Sequence, residues 1–426
     1  MFSEQPPSVP PDPVTPVPLP PLHRIAVPGT IALAALLAGL SMLGPFSIDA
    51  YLPAFPHIQA DLKATQLEVQ QTLSIYLLAF AGMVLWHGAL SDAFGRRNVI
   101  LVSLVVFAIG TFGCAASHSV HYLWIFRIMQ GVSAGAGVVV GRAIIRDLYS
   151  DADAARLLSL VTMIFTIAPA IAPIVGGIIV EYSDWRTIFL TLLGYTVALF
   201  IYCYRKLPES LPPHRRQPFN PRFLWHSYSA IFSAPLFHMK AGIVACNFAG
   251  LFLYITAAPV LLPVHLGLGP SQFGWLFIPA VSGIFLGALA ANRSAGKIAF
   301  TRQIGIGFCF VLAASLVNVG YHSLFAPGIP WTVAPLFLYT FGMSIIAPAA
   351  TLLALDLFPH IRGTVASCQS FAVTILGALV AGVIAPALAH SVLWLAYGQL
   401  AFSVAALALW LGTRVYKRGR VRNPVL

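Results

Sequence analysis

Two charged side chains stand inside long apolar runs, and any chemistry in this chain begins with them. Asp49 is the one acid of 13 placed well within such a run (30–53), and Arg127 is the one base of 24 placed well within another (121–145). An ionisable group costs free energy in hydrocarbon, so one that occurs there is a functional candidate. Asp49 precedes Pro53 by four residues and Arg127 follows His121 by six, depths of ~6 Å and ~9 Å at the helical rise. If the two runs cross a membrane in opposite senses, both groups sit at similar depth near one face. A carboxyl in that position can carry a proton, and a guanidinium beside it can tune that proton or bind the same substrate. A static ion pair, or a carboxylate reaching for the interface, is the structural alternative. Tyr51 and Gln130 on the same two runs, with Asn247 and Tyr254 on the run 239–264, supply polar groups for a substrate cavity. Packing accounts equally well for Asn247 and Tyr254.

Other residues have the pattern of gates. The stretch 88–97 combines Gly88, Asp92, Gly95, Arg96 and Arg97 between two apolar runs. Gly88 permits close helix contact and Gly95 a tight turn, Asp92 suits a helix N-terminus, and the two arginines hold one face. The run 155–180 carries Pro169 and Pro173 followed by Gly176 and Gly177. Prolines four apart remove backbone bonds on one side and predict a bend, which the glycines would let pack closely. Glycines 131, 135, 137 and 141 make small-xxx-small pairs on the run that carries Arg127.

The elements that must position these residues follow from composition. The 426 residues are 58% hydrophobic and 9% charged, with mean hydropathy +0.85. No soluble domain has so little charge. Twelve runs reach the ~20 residues a membrane span needs: 30–53, 68–90, 98–116, 121–145, 155–180, 187–205, 239–264, 272–292, 303–322, 331–354, 363–388 and 392–413. One long connection, 206–238, divides them six and six. The expected organisation is a disordered proline-rich cytoplasmic tail (1–29), a six-helix bundle (30–205), a cytoplasmic linker (206–238), a second six-helix bundle (239–413) and a basic tail (414–426). With both termini cytoplasmic, 20 of the 24 Lys and Arg fall on the cytoplasmic side and only Lys63 and Arg186 on the other, a strong positive-inside bias. The net charge of +11 is scattered between apolar runs, which excludes a nucleic-acid-binding domain. The five cysteines lie singly in apolar runs, so neither a disulfide framework nor a metal site is expected. Short matches between halves, such as Gly88-Ala89-Leu90 with Gly287-Ala288-Leu289, suggest a parallel repeat.

The stretch 88–97 resembles the signature loop of the major facilitator superfamily. Arg127-Ile128-Met129-Gln130-Gly131 is similar to that superfamily's fourth-span motif. Pro173-Ile174-Val175-Gly176-Gly177 is similar to the antiporter motif, with Ala172 where a glycine is usual. Ser47 to Pro56 and Phe358 to Ser367 resemble segments of the bicyclomycin-resistance-type (Bcr/CflA) drug:proton antiporters. The resemblance implies an all-α membrane protein of twelve helices in two pseudo-symmetric bundles. It also implies a secondary transporter, not an enzyme, that exports drugs of the bicyclomycin, chloramphenicol or sulfonamide class. Asp49 would carry the proton, and Asp92 would help latch the halves on the cytoplasmic side. No cofactor is expected beyond the proton motive force, and the partners are drug, proton and lipid, with a monomeric chain in the bacterial inner membrane. The rival reading is a metabolite transporter of the same fold.

Overall fold

The computed structural model describes residues 30–422; the proline-rich stretch 1–29 and residues 423–426 lie outside the described residues. Twelve helices among those described are long and apolar enough to cross a membrane. We number them as spans 1 to 12: Ile31–Leu62, Gln66–Phe94, Arg96–Ala115, Val120–Leu148, Arg156–Tyr182, Arg186–Lys206, Pro235–His265, Pro270–Ser294, Phe300–Leu324, Ala334–Leu355, Pro359–Leu388 and Val392–Tyr416. Only helices satisfy every backbone group within one crossing segment, which is why this composition yields helices alone.

The packing repeats. Span 2 lies on span 4, span 3 on spans 4 and 6, and span 1 on spans 5 and 6. Six spans later, span 8 lies on span 10, span 9 on spans 10 and 12, and span 7 on spans 11 and 12. A glycine closes the equivalent contact in each half, from span 4 in the first and from span 8 in the second. A Cβ on Gly131 would fall 2.3 Å from the Tyr76 carbonyl oxygen where spans 4 and 2 touch, and one on Gly287 would fall 2.4 Å from that of Phe341 where spans 8 and 10 touch. The chain is thus two pseudo-symmetric six-helix bundles. Large apolar side chains such as Val102, Ile109 and Phe112 of span 3, or Leu316 and Val317 of span 9, face outward, as a lipid-contacting wall requires.

Several boundaries differ from the sequence expectation. Span 1 is not one helix over 30–53: its α-helix ends at Asp49, a 3₁₀ turn spans Leu52–Ala54, and a second helix runs Phe55–Leu62. Span 4 is interrupted at Gly135. Span 5 belongs to one continuous helix, Asp151–Tyr182, that carries Pro169 and Pro173 in its interior. The connection after span 6 contains a helix, Pro221–Phe232, and the helix of span 7 already begins at Pro235. The last helix extends through the basic segment to Arg422, and the Arg414 guanidinium stacks on Trp410 at 4.0 Å.

Candidate proton and substrate site

The end that carries the 88–97 loop and the 207–234 connection is here called the linker end, and the opposite end the far end. The break in span 1 follows from its prolines. Pro53 has no N–H to donate and its ring crowds the carbonyl four residues back, which is that of Asp49. The α-helix therefore stops at Asp49, and the chain turns through Tyr51, whose carbonyl accepts from Ala54 at 3.1 Å. Asp49 is 5% exposed. Among the described residues its carboxyl has no hydrogen-bond or ion-pair partner.

Arg127 is fully buried and held from four sides. Its Nη1 donates to the Ser47 carbonyl at 3.0 Å and to Gln130 Oε1 at 2.9 Å. The guanidinium lies over the Tyr76 ring at 4.4 Å and the Tyr51 ring at 4.9 Å. Those groups are themselves tied. Ser47 Oγ donates to Tyr76 Oη at 2.9 Å, Tyr51 Oη meets Thr72 Oγ1 at 3.0 Å, and Gln130 Nε2 donates to Thr111 Oγ1 at 2.8 Å. Spans 1, 2, 3 and 4 thus converge on one guanidinium, leaving its Nε and Nη2 without acceptors. Asp49 and Arg127 are neighbours through the Ser47 backbone, but no ion pair joins them.

Span 5 presses on the break. A Cβ on Gly176 would lie 1.9 Å from the Ala50 carbonyl oxygen, and one on Gly177 would lie 2.0 Å from that of Pro270 at the start of span 8. The two glycines therefore touch the span 1 backbone next to Asp49 with one residue and the other bundle with the next. The far end is joined further by span 2: Gln70 Nε2 donates to the Thr256 carbonyl at 3.1 Å, Gln71 Nε2 to Gly382 at 2.8 Å and Ser74 Oγ to Ala378 at 3.0 Å. The Gly382 acceptor belongs to a π-helical turn, Val380–Ile384, a geometry that frees carbonyls from the regular ladder.

At the linker end the loop is cross-braced within the first bundle. Arg96 pairs with Asp92 and, through Nε, with Asp147 at 3.0 Å, and Ser210 Oγ donates to the same Asp147 oxygen at 2.9 Å. Glu209, not Asp92, caps the start of span 3 by accepting the Arg96 backbone N–H at 2.9 Å. Among the described residues Asp92 makes no hydrogen bond or ion pair with the second bundle; its carboxyl pairs with Arg96 and its backbone carbonyl accepts from Gln217 of the connection at 3.1 Å. Gly95 takes φ +94°, open to few residues other than glycine, and a Cβ there would lie 2.4 Å from Glu209 Oε2. Arg97 donates to the Tyr204 carbonyl at 2.7 Å.

The four cavity candidates divide. Tyr51 and Gln130 belong to the Arg127 cage. The Tyr254 hydroxyl turns into the second bundle, where it accepts from Asn318 Nδ2 at 2.7 Å, so it does not face the space between bundles. Asn247 borders a cavity. Tyr76, Ser47, Thr111 and Glu209 complete these constellations without having been singled out in the sequence. Only the adjacent Gln70 and Gln71, polar within an apolar run, offered a readable signal for the far-end contacts.

A family model described as the Major Facilitator Superfamily matches residues 35–381. The chain belongs to the major facilitator superfamily. An uncharacterised MFS-type transporter of Bacillus subtilis is 30% identical over 84% of this chain and 90% of its own length. A bicyclomycin resistance protein homologue of Haemophilus influenzae is 29% identical over 83% and 89%. Multidrug resistance protein D of Escherichia coli is 29% identical over 78% and 83%. A bacterial homologue of the human lysosomal transporter Spinster, solved in an inward-facing and unoccupied conformation, shares the fold with a TM-score of 0.67 at 18% identity, covering 91% of this chain and 97% of that one. The human organic anion transporter MFSD10 does so with a TM-score of 0.65 at 18% identity, over 90% and 98%. This superfamily member is accordingly a multi-pass membrane transporter with drug-resistance relatives.

Proposed function

We propose that this transporter exports small amphipathic drugs of the bicyclomycin, chloramphenicol or sulfonamide class in exchange for protons. The observation that carries the reading is the pairing of unmet needs around span 1. Asp49 has a buried carboxyl without a partner, and Arg127, anchored to Ser47 two residues earlier, has two buried donors without acceptors. A carboxyl in hydrocarbon is far less costly neutral than charged unless a cation meets it. Losing the proton thus gives Asp49 a reason to move onto Arg127, and regaining it releases the pair. Substrate binding near the same groups couples to that exchange. The names of the Haemophilus and Escherichia relatives support drugs as the cargo.

The conformation supports alternating access. The far end is bridged by Gln70, Gln71, Ser74 and Gly177, so this state is closed at the far end. The positive-inside bias makes the linker end cytoplasmic, and the chain works as a monomer in the inner membrane. One charge crossing 100 mV supplies ~2.3 kcal/mol, enough for roughly a 50-fold gradient of neutral substrate. The test is accumulation of bicyclomycin, chloramphenicol and a sulfonamide in cells expressing wild type or Asp49→Asn, with and without an uncoupler. Wild type should lower accumulation of at least one drug, and both the substitution and the uncoupler should restore it. Efflux unaffected by either overturns the reading.

A further inference from the structure

The connection between the bundles carries a helix, Pro221–Phe232, whose two faces differ. The inner face bridges the bundles. Tyr228 Oη donates to the Leu85 carbonyl of span 2 at 2.5 Å, and its ring meets Trp86 edge-on at 6.4 Å. Tyr228 and Ile231 are buried in one apolar cluster with Val365 and Cys368 of span 11, and Phe232 packs edge-on against Phe371 of that span at 5.8 Å. The outer face presents Arg222, Trp225, His226 and Ser229, with Trp225 72% exposed. Spacings of three and four residues set these side by side on the helix.

The charge of the connection is unanswered within the chain. Arg216 pairs with Glu209 at 3.7 Å, but Arg215 and Arg222 are exposed and make no ion pair with any described residue. No Asp or Glu occurs between Glu209 and Asp356, so the segment supplies no counter-charge of its own. The level of the helix says what does. Span 2 holds 29 residues, a length of ~43 Å at the helical rise, against ~30 Å of hydrocarbon. Its far end opens on a charged capping box, Thr65 with Glu68, which belongs in water. Counting ~30 Å from Glu68 ends the hydrocarbon near Gly88. Leu85 and Trp86 therefore lie at the boundary, and Tyr228 holds the helix beside them at the level of the headgroups. An indole is favoured at that level, and arginines there meet phosphate. We infer that the outer face of this helix docks anionic lipid headgroups of the leaflet at the linker end, with Arg215 and Arg222 on phosphate and Trp225 in the interface. Each basic residue near an anionic surface gives about fivefold preference over a neutral one, so the two give roughly thirtyfold. A headgroup held there ties the membrane surface to a helix that touches spans 2 and 11 together. This surface engages the bilayer and not the cargo.

The experiment reads the outer face directly. A nitroxide is attached at Ser229→Cys, one turn beyond Trp225, in the full-length chain carrying Cys309→Ser, since Cys309 is exposed. The protein is placed in nanodiscs of phosphatidylcholine alone or of phosphatidylcholine and phosphatidylglycerol in equal parts, and collision of the label with a neutral nickel chelate is measured by EPR. Access of the chelate should fall when phosphatidylglycerol is present, and high salt should restore it. Arg215→Gln with Arg222→Gln should remove the difference between the two lipids. Arg293→Gln with Lys297→Gln, which removes two exposed charges from the connection after span 8, should leave it. Equal access in the two lipids with the native arginines overturns the inference and leaves the face to a soluble acidic partner or to none. A difference that survives loss of Arg215 and Arg222, or that vanishes equally with Arg293 and Lys297, overturns it too. The comparison of lipids with the native arginines decides the matter even if a charge variant does not fold. No drug or proton gradient is present, so failure here is distinct from a failure of proton-driven export.

Discussion

Arg127 reaches past Asp49 to hold the backbone of Ser47 at 3.0 Å, and the carboxyl two residues on stays unpaired. Acid and base share a stretch of chain without sharing a charge contact. The arginine therefore acts first as a clamp that fixes the broken end of span 1, and only then as a counter-charge.

The clamp needs the shape of a guanidinium. One nitrogen serves two acceptors while the plane lies against two tyrosine rings. A lysine ammonium keeps the charge but neither the fork nor the stacking. Arg127→Lys is expected to reduce drug efflux at least tenfold while the protein still inserts. Efflux from energised cells, normalised to membrane expression, checks this.

Gly176 and Gly177 should fail differently. Gly176→Ala drives a methyl into Ala50 within one bundle, an overpacking that costs about 1–3 kcal/mol of stability. Gly177→Ala meets Pro270 of the other bundle, so it should leave the bundles intact and hold the far end apart. Thermal melting should fall for Gly176→Ala. Labelling of a Ser271→Cys reporter by an impermeant maleimide should rise for Gly177→Ala, measured against the same protein without the reporter.

The linker-end brace makes a third expectation. Gly95→Ala strains a backbone at φ +94° and pushes against Glu209, for about 1–2 kcal/mol. Glu209→Gln keeps the shape of the cap but loses its charge at the start of span 3. Melting temperature should drop for both, more for Gly95→Ala, and the effect of Glu209→Gln should shrink in high salt.

Much of the fold was legible because hydrocarbon imposes one strong rule. Runs of apolar residues long enough to cross must be helices, and their count and division into halves are visible in the residues alone. Asp49 and Arg127 were equally visible, since a charge in such a run is costly and therefore rare. The partners of Arg127 were not. Tyr76 and Thr111 are ordinary residues for their runs, and their roles arise only where spans 2 and 3 meet span 4. The end of span 1 was misplaced because Pro53 acts on the carbonyl of Asp49, four residues earlier, so the break begins before the proline itself. Glu209 was missed because a solvated connection gave no reason to suspect that one of its acids returns to cap span 3.

The most direct test is proton movement on substrate addition in inverted membrane vesicles. With the wild type, adding an exported drug to acid-loaded vesicles should draw protons out and lower the internal acidity. Asp49→Asn, inserted to the same level, should show no substrate-induced change. Equal proton movement in the two proteins contradicts the assignment of the proton to Asp49.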